Sequence, residues 1–427
     1  LEVPDHITLV WPDDNYGYIR HFPDEKERKR TGGNGVYYHT SYWGEPHDFL
    51  WLGIVQPSLM YQQMKTAYDR NMRKIWVLNV GDIKPSEYLT EFFLDMAWDI
   101  NLSGCKGGSG IVFSHLGNWL NQTFGKKTGK ELLPLMKDFY LLSHIRKPEF
   151  MGNTRTYDKR HEQIADLPWS TEEINERLER FKKLSDRVEK LYATVPSNRK
   201  EAYFEMIQYP VQASNEMNKK MLYAQFARHT PSDSASLWKK SDAAYDSIVS
   251  LTRRFNSLLD GKWNSIMSVG PRGLIVFDKV KHTASSSDLK EYPAPLQSWN
   301  GTEYTSASGS YTVIDGLGYA GKAIYLAKGG TVKYEFKNNR KDSLTVEVHL
   351  VPTHAVEGGK LRFSISTEGN EPQVFDCETA EYSEEWKVNI LRAKGIKTAR
   401  FPFTKNKGYI KITALDEGVV VDQLKLR

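Results

Sequence analysis

Three runs of residues constrain this chain more than anything else in it: Ile7-Thr-Leu-Val-Trp11, Gly35-Val-Tyr-Tyr-His39 and Ile75-Trp-Val-Leu-Asn-Val80. Each is apolar or aromatic without strict alternation, the pattern of a strand buried on both faces. A helical stretch over roughly 58–73 separates the last two, with Leu59, Met60, Met64 and Ala67 along one side. A further helix is predicted from Asp82-Ile-Lys-Pro85, since proline suits the first helical position, and Phe92, Phe93, Met96 and Ala97 give it an apolar face. Strand, helix, strand, helix implies parallel βα units. Three such strands precede the next change of pattern, too few to close a barrel and enough to leave a sheet edge open.

From about 126 to 285 the sequence becomes helical and charged. Ser170 with Glu173 reads as a capping box, and Ile174, Leu178, Phe181, Leu184, Val188 and Leu191 recur at the spacing of one buried helix face. Pro196 closes that run. A second helix over about 200–228 is predicted to kink near Pro210, and a third covers about 234–259. Beyond Ser285-Ser-Ser287 and Pro293-Ala-Pro295 come short alternating segments: Val332, Tyr334, Phe336; Leu344, Val346, Val348, Leu350; Leu361, Phe363, Ile365; Trp386, Val388, Ile390; Tyr409, Ile410, Ile412. Gly329-Gly330, Asn338-Asn339 and Gly358-Gly359 read as turns between them. Period-2 strands at this spacing imply an antiparallel β-sandwich. The reading is therefore a multidomain α/β plus α plus β chain, divided as 1–125, 126–285 and 286–427. At 427 residues, three domains is an ordinary number.

Charge narrows the partners. Lys and Arg number 58 against 53 Asp and Glu, and the tightest basic run, Lys26 to Arg30, still contains Glu27. That is no basic stripe, so a nucleic-acid partner is not expected. No apolar run approaches the roughly 18 residues of a membrane span, and a membrane role is not expected either. Cys105 and Cys377 read as two separate thiols.

In parallel βα architectures reactive groups gather just past the carboxyl ends of the strands. Here those ends carry Asp13, Asp14, Asn15, Tyr16 and Tyr18; then His39, Ser41, Tyr42, Trp43 and Glu45; then Asn79, Asp82 and Lys84. Ten of the first 51 residues are aromatic, roughly one in five against 12% overall. Polar groups mixed with flat rings suit a polyhydroxylated ligand. Each residue also has a plain structural reading. Asp13 and Asn15 fit turns and caps, His39 a hydrogen-bonded core histidine, and Tyr37 and Tyr38 a buried strand with one ring on each face. Asn79 is harder to explain so, because an amide within so apolar a run needs partners. Gly104-Cys-Lys-Gly-Gly-Ser-Gly110 lacks the Walker ending, no metal-ligand spacing is present, and no cofactor is expected.

The stretches Trp11-Pro-Asp-Asp-Asn-Tyr-Gly-Tyr-Ile-Arg20, Glu27-Arg28, Gly32-Gly33-Asn34-Gly35-Val-Tyr-Tyr-His39-Thr-Ser-Tyr-Trp-Gly44 and Asn79-Val-Gly-Asp-Ile-Lys-Pro85 resemble glycoside hydrolase family 115. The tail, with Thr345-Val-Glu-Val-His-Leu-Val-Pro352 and Gly418-Val-Val-Val-Asp422, resembles the later domains of the same family. These are xylan α-1,2-glucuronidases, which remove glucuronic or 4-O-methylglucuronic acid from glucuronoxylan. The resemblance implies that residues 1–125 are the last three βα units of a (β/α)8 barrel, followed by a helical bundle and a β-sandwich. It implies an inverting hydrolase with two carboxyl groups standing roughly 6.5–9.5 Å apart.

Carried over by motif, Asn15, Tyr37, His39, Tyr42 and Asn79 line the glucuronate pocket, and Asp13 is the one acid near the chemistry, as base or water-positioning group. The family's main acid and base belong to barrel strands without a counterpart here. The chain opens with Leu1 and not Met, so a longer polypeptide is expected, and the isolated chain is expected to be inactive. Substrates implied are glucuronoxylan or aldouronic acid oligosaccharides, the place a bacterial periplasm or secreted space, and the assembly a homodimer. The alternative is a non-catalytic glycan-binding or assembly portion, in which Trp299, Tyr304 or Trp386 would stack on sugar. Trp386 alternates with Val388 and Ile390 and reads better as core.

Overall fold

The computed structural model describes residues 3–155, 164–285, 287–289, 291–338 and 343–427. Ser286 of the expected linker and Asn339 of the expected turn lie outside the described residues. The chain begins with β1 (Leu9–Pro12), the one-turn α1 (Glu25–Arg28), β2 (Asn34–His39), α2 (Pro57–Asp69), β3 (Met72–Asn79) and α3 (Glu87–Trp98). The three strands form a parallel sheet in sequence order, with Pro12 opposite Tyr37 and His39 opposite Asn79.

Alternation along β2 sends Tyr38 to one side and Tyr37 with His39 to the other. Tyr38 is buried 6.3 Å from the ring of Phe93 on α3, and Trp76 of β3 lies 5.7 Å from the same ring. The opposite face carries Tyr37, His39 and Asn79, together with Val10 and Ile75, which are 40% and 43% exposed. Burial on both faces therefore holds for β2 alone. β1 alternates between half-buried and exposed positions, and β3 is exposed from Arg73 to Ile75.

Pro85 does not open a helix. Residues 82–86 form a turn in which Lys84 pairs with Glu87 (2.6 Å) and Glu205 (3.1 Å), and α3 begins only at Glu87.

The helical stretch follows as α4 (Ile111–Phe124), α5 (Lys126–Ile145), α6 (Thr171–Tyr192), α7 (Lys200–Tyr203), α8 (Tyr209–His229), α9 (Ser234–Asn256) and the one-turn α10 (Leu258–Gly261). Ser170 and Glu173 form the capping box read from the sequence. Pro210 cannot donate to the carbonyl one turn back and its ring crowds that carbonyl. The chain answers with a π-helical turn over Phe204–Gln208, between α7 and α8. One apolar core runs from Val36 and Tyr38 of the sheet through Phe139, Phe181 and Leu222 to Leu317, Val351 and Trp386 of the tail.

The tail contains β4 (Gln297–Asn300), β5 (Ser306–Ser308), β6 (Tyr311–Asp315), β7 (Lys322–Leu326), β8 (Thr331–Lys337), β9 (Ser343–Leu350), β10 (Arg362–Thr367), β11 (Gln373–Asp376), α11 (Glu384–Arg392), β12 (Gly395–Pro402), β13 (Lys407–Ala414) and β14 (Val419–Leu426). One antiparallel sheet runs β11-β10-β13-β8-β5 and the other β12-β9-β14-β7-β6, with β4 also paired to β14. Their inner residues, among them Val332, Val346, Phe363, Ile412 and Leu424, share a second core.

Trp386, Val388 and Ile390 are not a strand. They lie on α11, whose buried residues Trp386, Asn389, Ile390 and Leu391 follow helical spacing, while Val388 is 37% exposed. Ser383 caps this helix at the Trp386 amide, and Glu384 and Glu385 sit in its first turn, where acids oppose the helix dipole. Cys105 and Cys377 are free thiols. Among the described residues no helix is long and apolar enough to cross a membrane.

Candidate functional site

The end of β1 is folded back by two consecutive aspartates. Asp13 accepts the Asn15 amide at Oδ1 (3.0 Å) and the Gly17 amide at Oδ2 (3.0 Å). Asp14 Oδ1 accepts the amides of Tyr16 (2.9 Å) and Tyr18 (3.2 Å). These side chains take the place of backbone acceptors and fix the turn, after which Ile19 pairs antiparallel with Asp13. Asn15 holds a left-handed φ of 72°, which asparagine tolerates better than most residues. Gly17 stands at φ 92°, and a Cβ there would lie 2.7 Å from the Tyr38 hydroxyl oxygen. That position requires glycine.

Asp13 is almost wholly buried and also reaches β2. Its Oδ2 accepts the His39 amide (3.1 Å) and its Oδ1 stands 2.5 Å from His39 Nδ1. Burial pushes the Asp13 carboxyl above its ordinary range, against the His39 hydrogen bond that pulls it down. The bond to Asp13 makes Nδ1 the donor nitrogen of the His39 ring. Nε2 takes no part in that bond, and it accepts when the ring is neutral and donates when it is protonated.

Tyr37, two residues back on the same face, packs 5.1 Å from the His39 ring, and its hydroxyl accepts from Asn79 Nδ2 (3.1 Å). Asn79 is paired with His39 across β2–β3, and its carbonyl accepts from the Thr40 amide and the Thr40 hydroxyl, both at 2.9 Å. The rings of Tyr42 and His39 meet edge to face at 5.6 Å.

All six residues singled out from the sequence therefore meet at neighbouring strand ends. Asp13, His39, Tyr37 and Asn79 are connected in space, Tyr42 packs on His39, and Asn15 sits on the Asp13 turn. The set presents donors and acceptors together: the Tyr37 hydroxyl proton, the Asn79 side-chain Oδ1, His39 Nε2 and the Asn15 side-chain amide. Sugar hydroxyls both donate and accept, so this mixture matches them.

Other strand-end residues do different work. Tyr16 and Tyr18 are buried, Tyr16 donating to the His47 carbonyl (2.8 Å), and Asp82 is exposed. The 42–49 loop closes on itself through a Tyr42–Phe49 bridge and the Asp48 carboxylate, which accepts the Gly44 amide (2.7 Å) and pairs with Arg272 (2.9 Å). Trp43 on this loop is 66% exposed, with the Arg272 guanidinium 4.8 Å from its ring centre. Glu149 accepts the Leu50 (3.1 Å) and Trp51 (3.0 Å) amides, and burial raises its carboxyl to about 7. Among the described residues no three His, Cys, Asp or Glu side chains are grouped to hold a metal ion.

Sequence reasoning missed the tail's part in this region. Trp386 of α11 donates its indole N–H to Asp14 Oδ2 (2.9 Å). His354, after β9, places Nε2 3.5 Å from the same oxygen and Nδ1 2.8 Å from Glu378. Burial of the His354 ring opposes its charge, but the bonds to Asp14 and Glu378 outweigh burial and hold its pKa above the ordinary value. Arg20 bonds the Thr379 carbonyl (2.8 Å) and lies 3.4 Å from His354 Nε2 and 3.8 Å from Glu378. The one signal available in advance was Ser383-Glu384-Glu385, a helix start that an alternation reading passes over.

Two family profiles match the chain: "Glycosyl hydrolase family 115" over residues 1–150 and "Glycosyl hydrolase family 115 C-terminal domain" over residues 297–427. A solved structure described as a novel family GH115 4-O-methyl-α-glucuronidase, BtGH115A, with specificity for decorated arabinogalactans, is similar at 49% identity and a TM-score of 0.95. The match covers 100% of this chain and 55% of that one, so the chain spans little more than half the length of BtGH115A. Slighter likenesses are to an exo-β-1,3-galactanase from Phanerochaete chrysosporium (15% identity, TM-score 0.24, 31% of this chain and 29% of that one) and to a carbohydrate-binding module, CBM35, from Cellvibrio japonicus Abf62 (10% identity, TM-score 0.25, 31% and 91%). No curated protein matches the sequence.

Proposed function

Because the chain belongs to glycosyl hydrolase family 115, we propose that its strand ends bind the uronic acid of an α-glucuronidase that removes glucuronic or 4-O-methylglucuronic acid from a plant cell-wall polysaccharide. The observation that carries this reading is the joined set Asp13–His39–Tyr37–Asn79 at the ends of three adjacent parallel strands. His39 Nε2, Asn79, Tyr37 and Asn15 orient the ring hydroxyls, and Tyr42 offers an apolar edge. Asp13 acts through His39: both its oxygens already accept two N–H donors each, so it holds and orients the imidazole and is not the base that activates water.

On this reading β1–β3 are the last three strands of a (β/α)8 barrel, and inversion proceeds between two carboxyl groups carried by other strands. The exposed Trp43 ring beside Tyr42 is a flat surface on which the polymer beyond the cleaved bond rests. Glucuronoxylan is one candidate polymer. The specificity of BtGH115A for decorated arabinogalactans makes that polymer the other. Periplasmic or secreted placement and dimer formation belong to the same proposal. A purely glycan-binding tail fits less well, since Trp386 is buried and Trp299 and Tyr304 pack against the tail's core.

The test is incubation of the full-length protein with each polymer and measurement of released 4-O-methylglucuronic acid, beside a His39→Ala variant. Release abolished by the variant supports the reading. Absence of release from both polymers, or undiminished release by the variant, defeats it.

A further inference from the structure

We infer that His354, contributed by the C-terminal sheets, is a positioning residue of the sugar pocket, acting through Asp14 on the turn that carries Asp13 and Asn15. This rests on the pocket reading above and adds a residue far from it in sequence. Asp14 follows Asp13 directly, so their Cα atoms stand about 3.8 Å apart. Its two oxygens have separate tasks. Oδ1 holds the Tyr16 and Tyr18 amides and so shapes the turn around Asn15, while Oδ2 faces the tail, taking the Trp386 indole N–H at 2.9 Å and His354 Nε2 at 3.5 Å.

The Asp14 side chain is 0% exposed and that of His354 1%. A carboxylate so enclosed needs compensation, or the segment holding it rearranges. Compensating charge comes from the tail and from Lys147, just past the end of α5, which also acts on Asp14. His354 lies between Asp14 and Glu378, and Glu378 is itself fixed by the Ala355 amide (2.6 Å). The third charged group facing the ring is Arg20, whose guanidinium can only donate and so bonds Nε2 (3.4 Å) when that nitrogen is unprotonated, opposing the imidazolium. Two carboxylates against one guanidinium favour the imidazolium.

A histidine whose pKa is raised on folding contributes fully below its ordinary value, and the contribution is lost as pH rises through the raised one. The pocket should then loosen on the alkaline side, through a group that touches no substrate.

The experiment measures kcat/KM for release of 4-O-methylglucuronic acid against pH, in the full-length wild type and in His354→Gln, with thermal melting recorded for each. Gln retains hydrogen-bonding atoms without charge. The inference expects His354→Gln to lose about tenfold in kcat/KM at pH 6, mostly in KM, and to lack the alkaline fall-off seen in the wild type. Lys405→Ala, an exposed ion-pair partner of Glu368, should match the wild type.

A folded His354→Gln protein with wild-type rates and the same alkaline fall-off would overturn the inference. If His354→Gln does not fold, Glu378→Gln decides. Removing that carboxylate should move the wild-type fall-off to lower pH, and an unmoved fall-off counts against His354. A wild-type protein that releases no uronic acid defeats the pocket reading itself, which is a distinct result.

Discussion

The two sheets of the tail bury Val332, Phe363, Ile412 and Leu424 against one another, whereas the β1–β3 sheet covers one face with α3 and leaves Val10 and Ile75 exposed on the other. The contrast separates two uses of apolar sequence. In the tail, alternation alone tells each residue which way to face, and packing satisfies the whole pattern. In the parallel sheet, the face opposite α3 carries Tyr37, His39 and Asn79 at its carboxyl ends, where hydrogen bonds among Asp13, His39, Tyr37 and Asn79 fix their polar groups. The tail's two sheets cover each other, and the strand ends of β1–β3 gather polar groups joined by hydrogen bonds.

The largest effect expected from breaking this contrast is at Asp13. Asp13→Ala orphans four N–H donors, three of them buried, and should cost about 3–5 kcal/mol, seen as a lowered denaturation midpoint together with loss of uronic acid release. A variant melting like the wild type would mean that the turn is held otherwise. Ile412→Ala, in the tail's core, should cost about 3 kcal/mol, yet leave KM unchanged at temperatures where the protein stays folded. Asn79→Ala reverses that signature: release should fall about a hundredfold, roughly 2.7 kcal/mol of transition-state stabilisation, with little change in melting. Similar losses of stability and activity at Asn79 would erase the distinction between the regions.

A smaller effect concerns pH. Burial raises the Asp422 carboxyl on β14 to about 7, against the Tyr319 amide that it accepts at 2.9 Å. A carboxyl raised on folding favours the native state below its ordinary pKa and loses that contribution as pH climbs through the raised value. Asp422→Asn should therefore melt at a higher temperature than the wild type at pH 8 and show a smaller gap at pH 5. Melting curves at both pH values check this, and an equal gap at both would refute it. The smallest effect is at Trp43, where alanine should raise KM for a polymeric substrate about threefold and leave an oligosaccharide unaffected.

Much of this was legible in the residues, unevenly and for physical reasons. The strand-end cluster could be read because parallel strands deliver their terminal residues to one rim, and Asn79 could not sit in an apolar run without partners. The capping box at Ser170 and the irregularity before Pro210 could be read because their causes are local. Pro85 could not, because its turn is tied by Lys84 to Glu205, more than a hundred residues away. Trp386 was misplaced on a strand because three alternate apolar residues satisfy period 2 for a short span, while Leu391 and the Ser383 cap carried the helical signal. Its bond to Asp14, and that of His354, join segments over 300 residues apart and leave no trace in local pattern.

The most direct test of the central claim is a crystal structure of the full-length protein soaked with 4-O-methylglucuronic acid. The account predicts the sugar at the carboxyl ends of β1–β3, hydrogen-bonded to His39 Nε2 and Asn79. A sugar bound elsewhere, with those side chains untouched, would contradict it.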